Sequence, residues 1–348
     1  RIRANSLMNK KHLWGVLIVL AISAFVLYTD LKSTPLSEIL GAAHGLNIWA
    51  LIMVFGLMLL SYVCEAGILA TLAHRKDEPK RSAWSFLRIP IIQALFNAIT
   101  PMSTGGQPSQ LAAMIQMGME GGRSTSILLM KFIIYQIVVF FAYVFTIIFG
   151  FHTVMTKFAG LAVFIAIGFL IHISSIIFLL AIMFAYRFTK RATNWVMDLL
   201  GKFMKKERVE KWRTATLEKI DTFYAESQKL KKEKNKLIIS SILTVLQLLF
   251  FYSIPFMVLT ALNVPCSWSS VTQMNIMIIM FMAIIPIPGA SGGAEYSFQT
   301  LFSTFVSSHG ALILAMFVWR FATYFFGMIL GIFGWIFKPK KIKSTESN

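Results

Sequence analysis

The sequence predicts an all-α, polytopic integral membrane protein with about six full spans and two re-entrant, broken-helix hairpins forming an inverted-topology repeat. Three observations predict it. Hydrophobic residues fill 57% of the 348 positions and charged residues only 14%, where a soluble domain averages about a quarter charged. Apolar runs long enough to cross a bilayer recur along the chain, and mean hydropathy is +0.69. Two further apolar regions are each interrupted by a Gly/Pro-rich stretch, TPMSTGGQPSQ at 100–110 and IPGASGGAE at 287–295.

Full spans are placed near 13–28, 47–72, 124–149, 159–186, 237–262 and 311–337. Residues 1–7 precede Met8 and are set aside as an upstream remnant. Lys10 and Lys11 before the first run resemble a signal peptide. The following TDLKSTPLSE holds no small-x-small cleavage site, so the run reads as an uncleaved span. The interrupted regions are 85–119 and 271–306, with halves of about 15 to 20 residues that break at Pro and Gly, which favours hairpins over paired crossings.

Basic residues orient these elements. Lys10 and Lys11 place the start in the cytoplasm, and the weakly charged 29–46 loop (Lys32 against Asp30 and Glu38) lies outside. Arg75, Lys76, Lys80 and Arg81 return the next loop inside, as do the basic 187–236 segment and the tail KPKKIKS. If 85–119 dips in from the cytoplasm and 271–306 from outside, every mark is satisfied. Repeat unit one then covers 47–149 and unit two 237–337, within a single membrane domain at 8–338 followed by a basic tail at 339–348. The net charge of +18 is thus read as positive-inside bias and attraction to anionic lipid rather than nucleic-acid binding. No basic stretch carries interleaved stacking aromatics.

Aligned, Pro101-Met-Ser-Thr104-Gly105-Gly106 matches Pro288-Gly-Ala-Ser291-Gly292-Gly293. Proline removes an N–H and disfavours helix before it, and glycine permits a sharp turn. A helix that restarts there presents unpaired N–H groups suited to a phosphate. Irregular backbone at membrane depth must be buried in protein or line a wet cavity. The stretches therefore read as two tips of one polar intramembrane site, against the simpler reading of two packing kinks.

Charges within apolar segments are costly and usually functional. Glu65 and Lys131 lie at similar depth and are expected to pair, as are Glu295 and Arg320; Arg88 sits where the first hairpin enters. The six histidines, His172 included, read as loop or packing residues, and Cys64 and Cys266 are not expected to form a disulfide. No metal-ligand cluster or cofactor motif is read. Within 187–236, Trp195, Val196, Leu199, Leu200 and Phe203 recur at helical spacing, as in an amphipathic helix on anionic inner-leaflet lipids. The lysine-rich 229–236 end reads equally well as a solvated linker.

The layout and both motifs resemble the flippase-like transmembrane domain of lysylphosphatidylglycerol synthases, the multiple peptide resistance factors, in a stand-alone form. PIPGASGGAE looks like that family's Pro-x-Pro-Gly-x-x-Gly-x-x-Glu element, with Glu295 at the acidic position. TPMSTGGQPSQ looks like its Gly-Gly element. Many members carry an acidic residue and then an arginine there, whereas Gln107 and Gln110 stand here. Full-length synthases add a soluble domain that joins lysine to phosphatidylglycerol. No room for it is seen after the last span, so intrinsic transferase activity is not expected.

The resemblance implies a translocase in the cytoplasmic membrane, termini inside, that moves an anionic, aminoacylated or glycosylated lipid between leaflets. The alternatives are a membrane-embedded phosphatidylglycerol lysyltransferase-family enzyme or its accessory subunit, and a scaffold for a lipid-modifying or glycolipid-assembly enzyme. Headgroup-binding candidates are Arg88, Ser103, Thr104, Gly105, Gly106, Gln107, Gln110, Lys131, Pro288, Gly289, Ser291, Gly292, Gly293, Glu295 and Arg320, with Glu65 and Glu295 as candidate proton carriers. Expected partners are a membrane phospholipid or glycolipid, a separate synthase or glycosyltransferase, and a second copy of the chain. Role in antibiotic resistance is part of the same implication.

Overall fold

The structure, a computed structural model, describes Tyr28 and residues 35–75, 81–202 and 204–337. The expected span at 13–28 (save Tyr28), the 1–7 remnant and the 339–348 tail lie outside the described residues. Among the described residues every regular element is helical. In chain order they are α1 (Leu36–Ala43), α2 (Ile48–Ala73), α3 (Ala83–Ile99), α4 (Gly106–Gln116), α5 (Gly121–Lys157), α6 (Ala159–Phe184), α7 (Tyr186–Leu200) and α8 (Lys206–Lys232). Then follow α9 (Lys234–Tyr252), α10 (Ile254–Ala261), α11 (Trp268–Met282), α12 (Gly293–Phe302), α13 (His309–Arg320) and α14 (Phe326–Ile336). Short 3₁₀ turns at Pro101–Ser103 and Pro288–Ala290 join α3 to α4 and α11 to α12, and a π-helical turn at Phe321–Phe325 joins α13 to α14.

Five helical segments are long and apolar enough to cross a membrane: Ile48–Ala73, Gly121–His152, Ala159–Ile182, Lys234–Ala261 and His309–Ile336. Each coincides with an expected span. Phe164, Leu170, Ile171, Ile177 and Phe178 leave α6 apolar on its exposed side, the surface a lipid-facing helix needs. The chain is an all-α polytopic membrane protein. By contrast, α3 has 17 residues and α11 has 15. At 1.5 Å per residue these reach about 26 and 23 Å, short of a hydrocarbon core of roughly 30 Å. Each folds back through its 3₁₀ turn and packs against the following helix, α4 or α12.

Helix ends are fixed locally. The Asn47 side chain accepts from the N–H groups of Trp49 and Ala50, capping α2. Ser82 caps α3 and Ser308 caps α13 in the same way. α2 packs along α9, and α14 along α3. In the second contact Gly331 is required by close approach: a Cβ there would lie 2.4 Å from Leu95 Cβ and 2.5 Å from the Ile91 carbonyl oxygen.

The 187–236 segment forms α7 and α8, packed on one another, with α8 also against α5 and α6. Phe188, Trp195, Val196 and Leu199 project outward from α7, whereas Val209, Ile220 and Phe223 of α8 are buried. Asp221 on α8 accepts from Tyr186 Oη at 2.7 Å and pairs with Lys190 at 2.9 Å. The 229–236 end, read equally as a solvated linker, is helical on both sides of Glu233.

Candidate intramembrane site

The two tips have congruent backbones through their first positions. Thr100 and Ile287, each preceding a proline, are extended, at φ/ψ of −120°/142° and −101°/142°. The next two residues after each proline are left-handed: Met102 at φ 51° and Ser103 at 55°, Gly289 at 60° and Ala290 at 51°. Non-glycine residues held there cost about 1–3 kcal/mol each, a strain that clusters at functional sites. The tips diverge afterwards. Gly105 is right-handed at φ −78°, Gly292 left-handed at 88°. The two 3₁₀ turns pack against each other.

Beside them lies a cavity of about 580 Å³. Its wall includes Ser103, Gln107, Gln110, Lys131, Gly289 and Arg320 from the candidate residues, and Glu65 from α2. The wall also carries Tyr62, Gln93, Asn97, Tyr143, His172, Gln247, Asn275 and Tyr324, polar or aromatic side chains the sequence reading did not place in the site. They sit on six different helices and the π turn, and no short-range pattern connects them. His172, assigned to packing, lies on the wall with its ring 4.8 Å from that of Tyr143.

Both expected ion pairs form. Glu65 pairs with Lys131, and its carboxylate also accepts from Gln110 Nε2 at 2.9 Å and Gln247 Nε2 at 3.0 Å. Gln110 Nε2 donates to Gln93 as well, and Gln110 Oε1 accepts from Lys131 Nζ at 3.1 Å. Five side chains from α2, α3, α4, α5 and α9 thus close one network. The second pair joins Arg320 Nε to Glu295 Oε1 at 2.7 Å. Arg320 Nη2 donates to the Gly289 carbonyl at 2.7 Å, and its guanidinium lies 4.6 Å from the Tyr324 ring centroid. Tyr324 Oη in turn donates to the Ala98 carbonyl at 2.9 Å, tying the second half to the first hairpin. A Cβ on Gly289 would fall 2.3 Å from the Tyr324 ring, so both space and the φ of 60° call for glycine there.

Two candidates are corrected. Arg88, expected at the headgroup entrance, is buried; it donates to the Gly334 carbonyl and, at 2.7 Å, to Gln116 Oε1. It ties α3 to α14 and α4, away from the cavity wall. At the helix restart at Gly292–Gly293, expected to present open N–H groups, one is taken internally: Glu295 Oε2 accepts from the Gly292 N–H at 2.7 Å. At the first tip the Gly105 N–H donates to Thr100 Oγ1 at 2.9 Å. Thr104, Gly105, Gly106, Pro288, Ser291, Gly292, Gly293 and Glu295 belong to the tips and the helix starts after them but do not line the cavity; Ser291 Oγ is 3.5 Å from Arg320 Nη2.

Comparison with known proteins places this architecture. The family profile described as Lysylphosphatidylglycerol synthase TM region matches residues 14–331. The chain belongs to that family. A UPF0104 membrane protein of Archaeoglobus fulgidus is 27% identical over 334 residues, covering 90% of this chain and 94% of that protein. The lysylphosphatidylglycerol synthase TM-region match takes in both hairpins, both ion pairs and the α7–α8 pair, and the matched range includes every residue on the cavity wall.

Proposed function

We propose that the chain is a lipid translocase of the cytoplasmic membrane, with both termini inside, moving a lipid headgroup between leaflets through the cavity at the tips. One observation carries the reading: a cavity of about 580 Å³ with charged and amide side chains on its wall lies beside two strained, broken-helix tips in a protein built of membrane-length helices. A headgroup dragged through hydrocarbon loses its hydrogen bonds with nothing in return. A polar cavity at that depth replaces them while the acyl chains stay in lipid. Rocking of units 47–149 and 237–337 against each other would open the cavity to one face and then the other.

The sequence holds no G-x-x-x-x-G-K-[ST] nucleotide motif, so movement is passive, drawn by product removal, or coupled to an ion, with Glu65 and Glu295 as the available carriers. The headgroup reaches the wall near Lys131 and Gln107 and leaves past Arg320. Cargo is an anionic, aminoacylated or glycosylated lipid, supplied by a separate synthase or glycosyltransferase. α7 rests its Phe188, Trp195 and Leu199 side on anionic inner-leaflet lipid. The test is reconstitution in liposomes with fluorescent lipids and an impermeant quencher. Protein-dependent exposure of inner-leaflet lipid, slowed tenfold or more by Glu295→Gln, is expected. No movement of any anionic, aminoacylated or glycosylated lipid would refute the proposal.

A further inference from the structure

The polar atoms of the cavity divide into two sets. The charged set is already satisfied. Lys131 is matched by Glu65, and Arg320 by Glu295, with both pairs buried. At the second helix restart, where an anion would be favoured, the chain's own Glu295 carboxylate already stands and accepts from the Gly292 N–H.

The second set is uncharged and unpartnered. Among the described residues, Tyr62 Oη, His172 Nε2, Gln247 Oε1 and Asn275 Oδ1 are buried without a hydrogen-bond partner, and all four side chains are on the wall. Tyr62, Gln247 and Asn275 are each more than nine-tenths buried. The amide orientations are fixed by chemistry. Gln247 must turn its NH₂ to the Glu65 carboxylate, and Asn275 donates Nδ2 to the Tyr252 carbonyl at 3.1 Å. Their oxygens are therefore the free ends, and both are acceptors. Buried polar atoms left open cost free energy and call for an explanation.

A phosphate offers only acceptors to these atoms and finds no unmatched cation. An ammonium offers donors, but every carboxylate in reach is neutralised, so its charge would be buried without a counter-charge. A hydroxyl donates and accepts at once, which suits two carbonyls, a phenol and an imidazole together. Flat apolar rings nearby, Trp319 and Phe251 among them, suit the C–H faces of a sugar. We infer that the cavity recognises an uncharged, hydroxyl-rich headgroup, a sugar or polyol, through Tyr62, Gln247 and Asn275. This rests on the translocase reading only for its transport consequence; recognition stands by itself.

The test is therefore binding first. The purified full chain in detergent is heated with a monohexosyl diacylglycerol, phosphatidylglycerol or lysyl-phosphatidylglycerol. The hexosyl lipid is expected to raise Tm in a saturable way, and the other two to do so only at tenfold higher concentration or more. Tyr62→Phe removes an oxygen that bonds to nothing in the protein, so its unliganded Tm is expected to hold, while its affinity for the hexosyl lipid falls about tenfold. Asn275→Leu provides a second variant. A Tm raised equally by all three lipids, raised by the charged lipids alone, or raised for Tyr62→Phe as for the parent protein, overturns the inference. The same lipids then go into the liposome assay. Hexosyl-lipid binding without movement of any lipid would sink the translocase proposal while leaving recognition intact. Movement without hexosyl selectivity would do the reverse.

Discussion

Glu65 accepts from three side chains on three helices, and among the described residues Lys131 is its only cation. Removing Lys131 leaves that carboxylate buried and unmatched. Lys131→Met is expected to destabilise the protein by about 3–5 kcal/mol, and adding Glu65→Gln should recover much of the loss, since the remaining amides can re-pair. A double-mutant cycle on unfolding in detergent measures this; strictly additive effects would mean that the pair is not coupled. Tyr324 joins the halves through one hydrogen bond to the Ala98 carbonyl. Tyr324→Phe keeps the ring over Arg320 and should cost about 1 kcal/mol, read as a modest fall in Tm. At this scale the sequence was partly legible. Charges in apolar segments advertise themselves by their rarity, so Glu65, Lys131, Glu295 and Arg320 stood out. Tyr62, Gln247 and Asn275 did not, because a lone tyrosine or amide in a span has the same appearance whether it packs, bonds or faces a cavity.

Helix contacts make the next level. α14 approaches α3 so closely that Gly331 has no room for a methyl group. Gly331→Ala is expected to cost about 1–3 kcal/mol through forced separation. Gly41→Ala, in α1 with open space around it, should be neutral or stabilising by up to about 1 kcal/mol. Thermal unfolding of both variants distinguishes local packing from a general intolerance of alanine. The α7–α8 contact is pH-sensitive in a defined direction. Hydrogen bonds from Tyr186 and then Lys190 hold the Asp221 carboxyl below its ordinary value. Its contribution is fully present above the ordinary carboxylate range and is lost as pH falls through the lowered value. The groups are exposed, so the effect is small. Protection factors across 186–232, corrected for the intrinsic pH dependence of amide exchange, should fall at acid pH, and Asp221→Asn should abolish that fall.

Element placement was legible because spans follow from length and hydropathy alone. The five described ones lie within a few residues of expectation, and the hairpins announced themselves through proline and glycine. What the motif match could not disclose is the behaviour after its third position. Gly105 and Gly292 align in sequence yet take opposite signs of φ. The capping of the second restart by Glu295 was likewise hidden. An acid at that spacing was read as a ligand residue, although three residues past a helix start is also where an acid folds back on the backbone. Arg88 misled for a related reason: an arginine near a predicted boundary suggests headgroups, but a carbonyl at the end of α14 claims it.

For the whole molecule, the net charge is +18, while the cavity's own charges cancel in pairs. On the proposed reading, that separation would let basic loops and α7 engage anionic lipid without imposing the same preference on the cavity. It also makes the central claim concrete: one cavity beside the two hairpin tips communicates with either face of the membrane. Gln107 is exposed and lies on the cavity wall, in α4 with ordinary helical geometry. The most direct measurement is the reactivity of Gln107→Cys, with Cys64 and Cys266 replaced by alanine, in sealed oriented vesicles. An impermeant thiol reagent would be added to one side or the other. The account predicts labelling from both sides, faster from one, and slowed from both by a bound hexosyl lipid. Labelling from one side only, unchanged by lipid, would mean a one-sided vestibule and would contradict it.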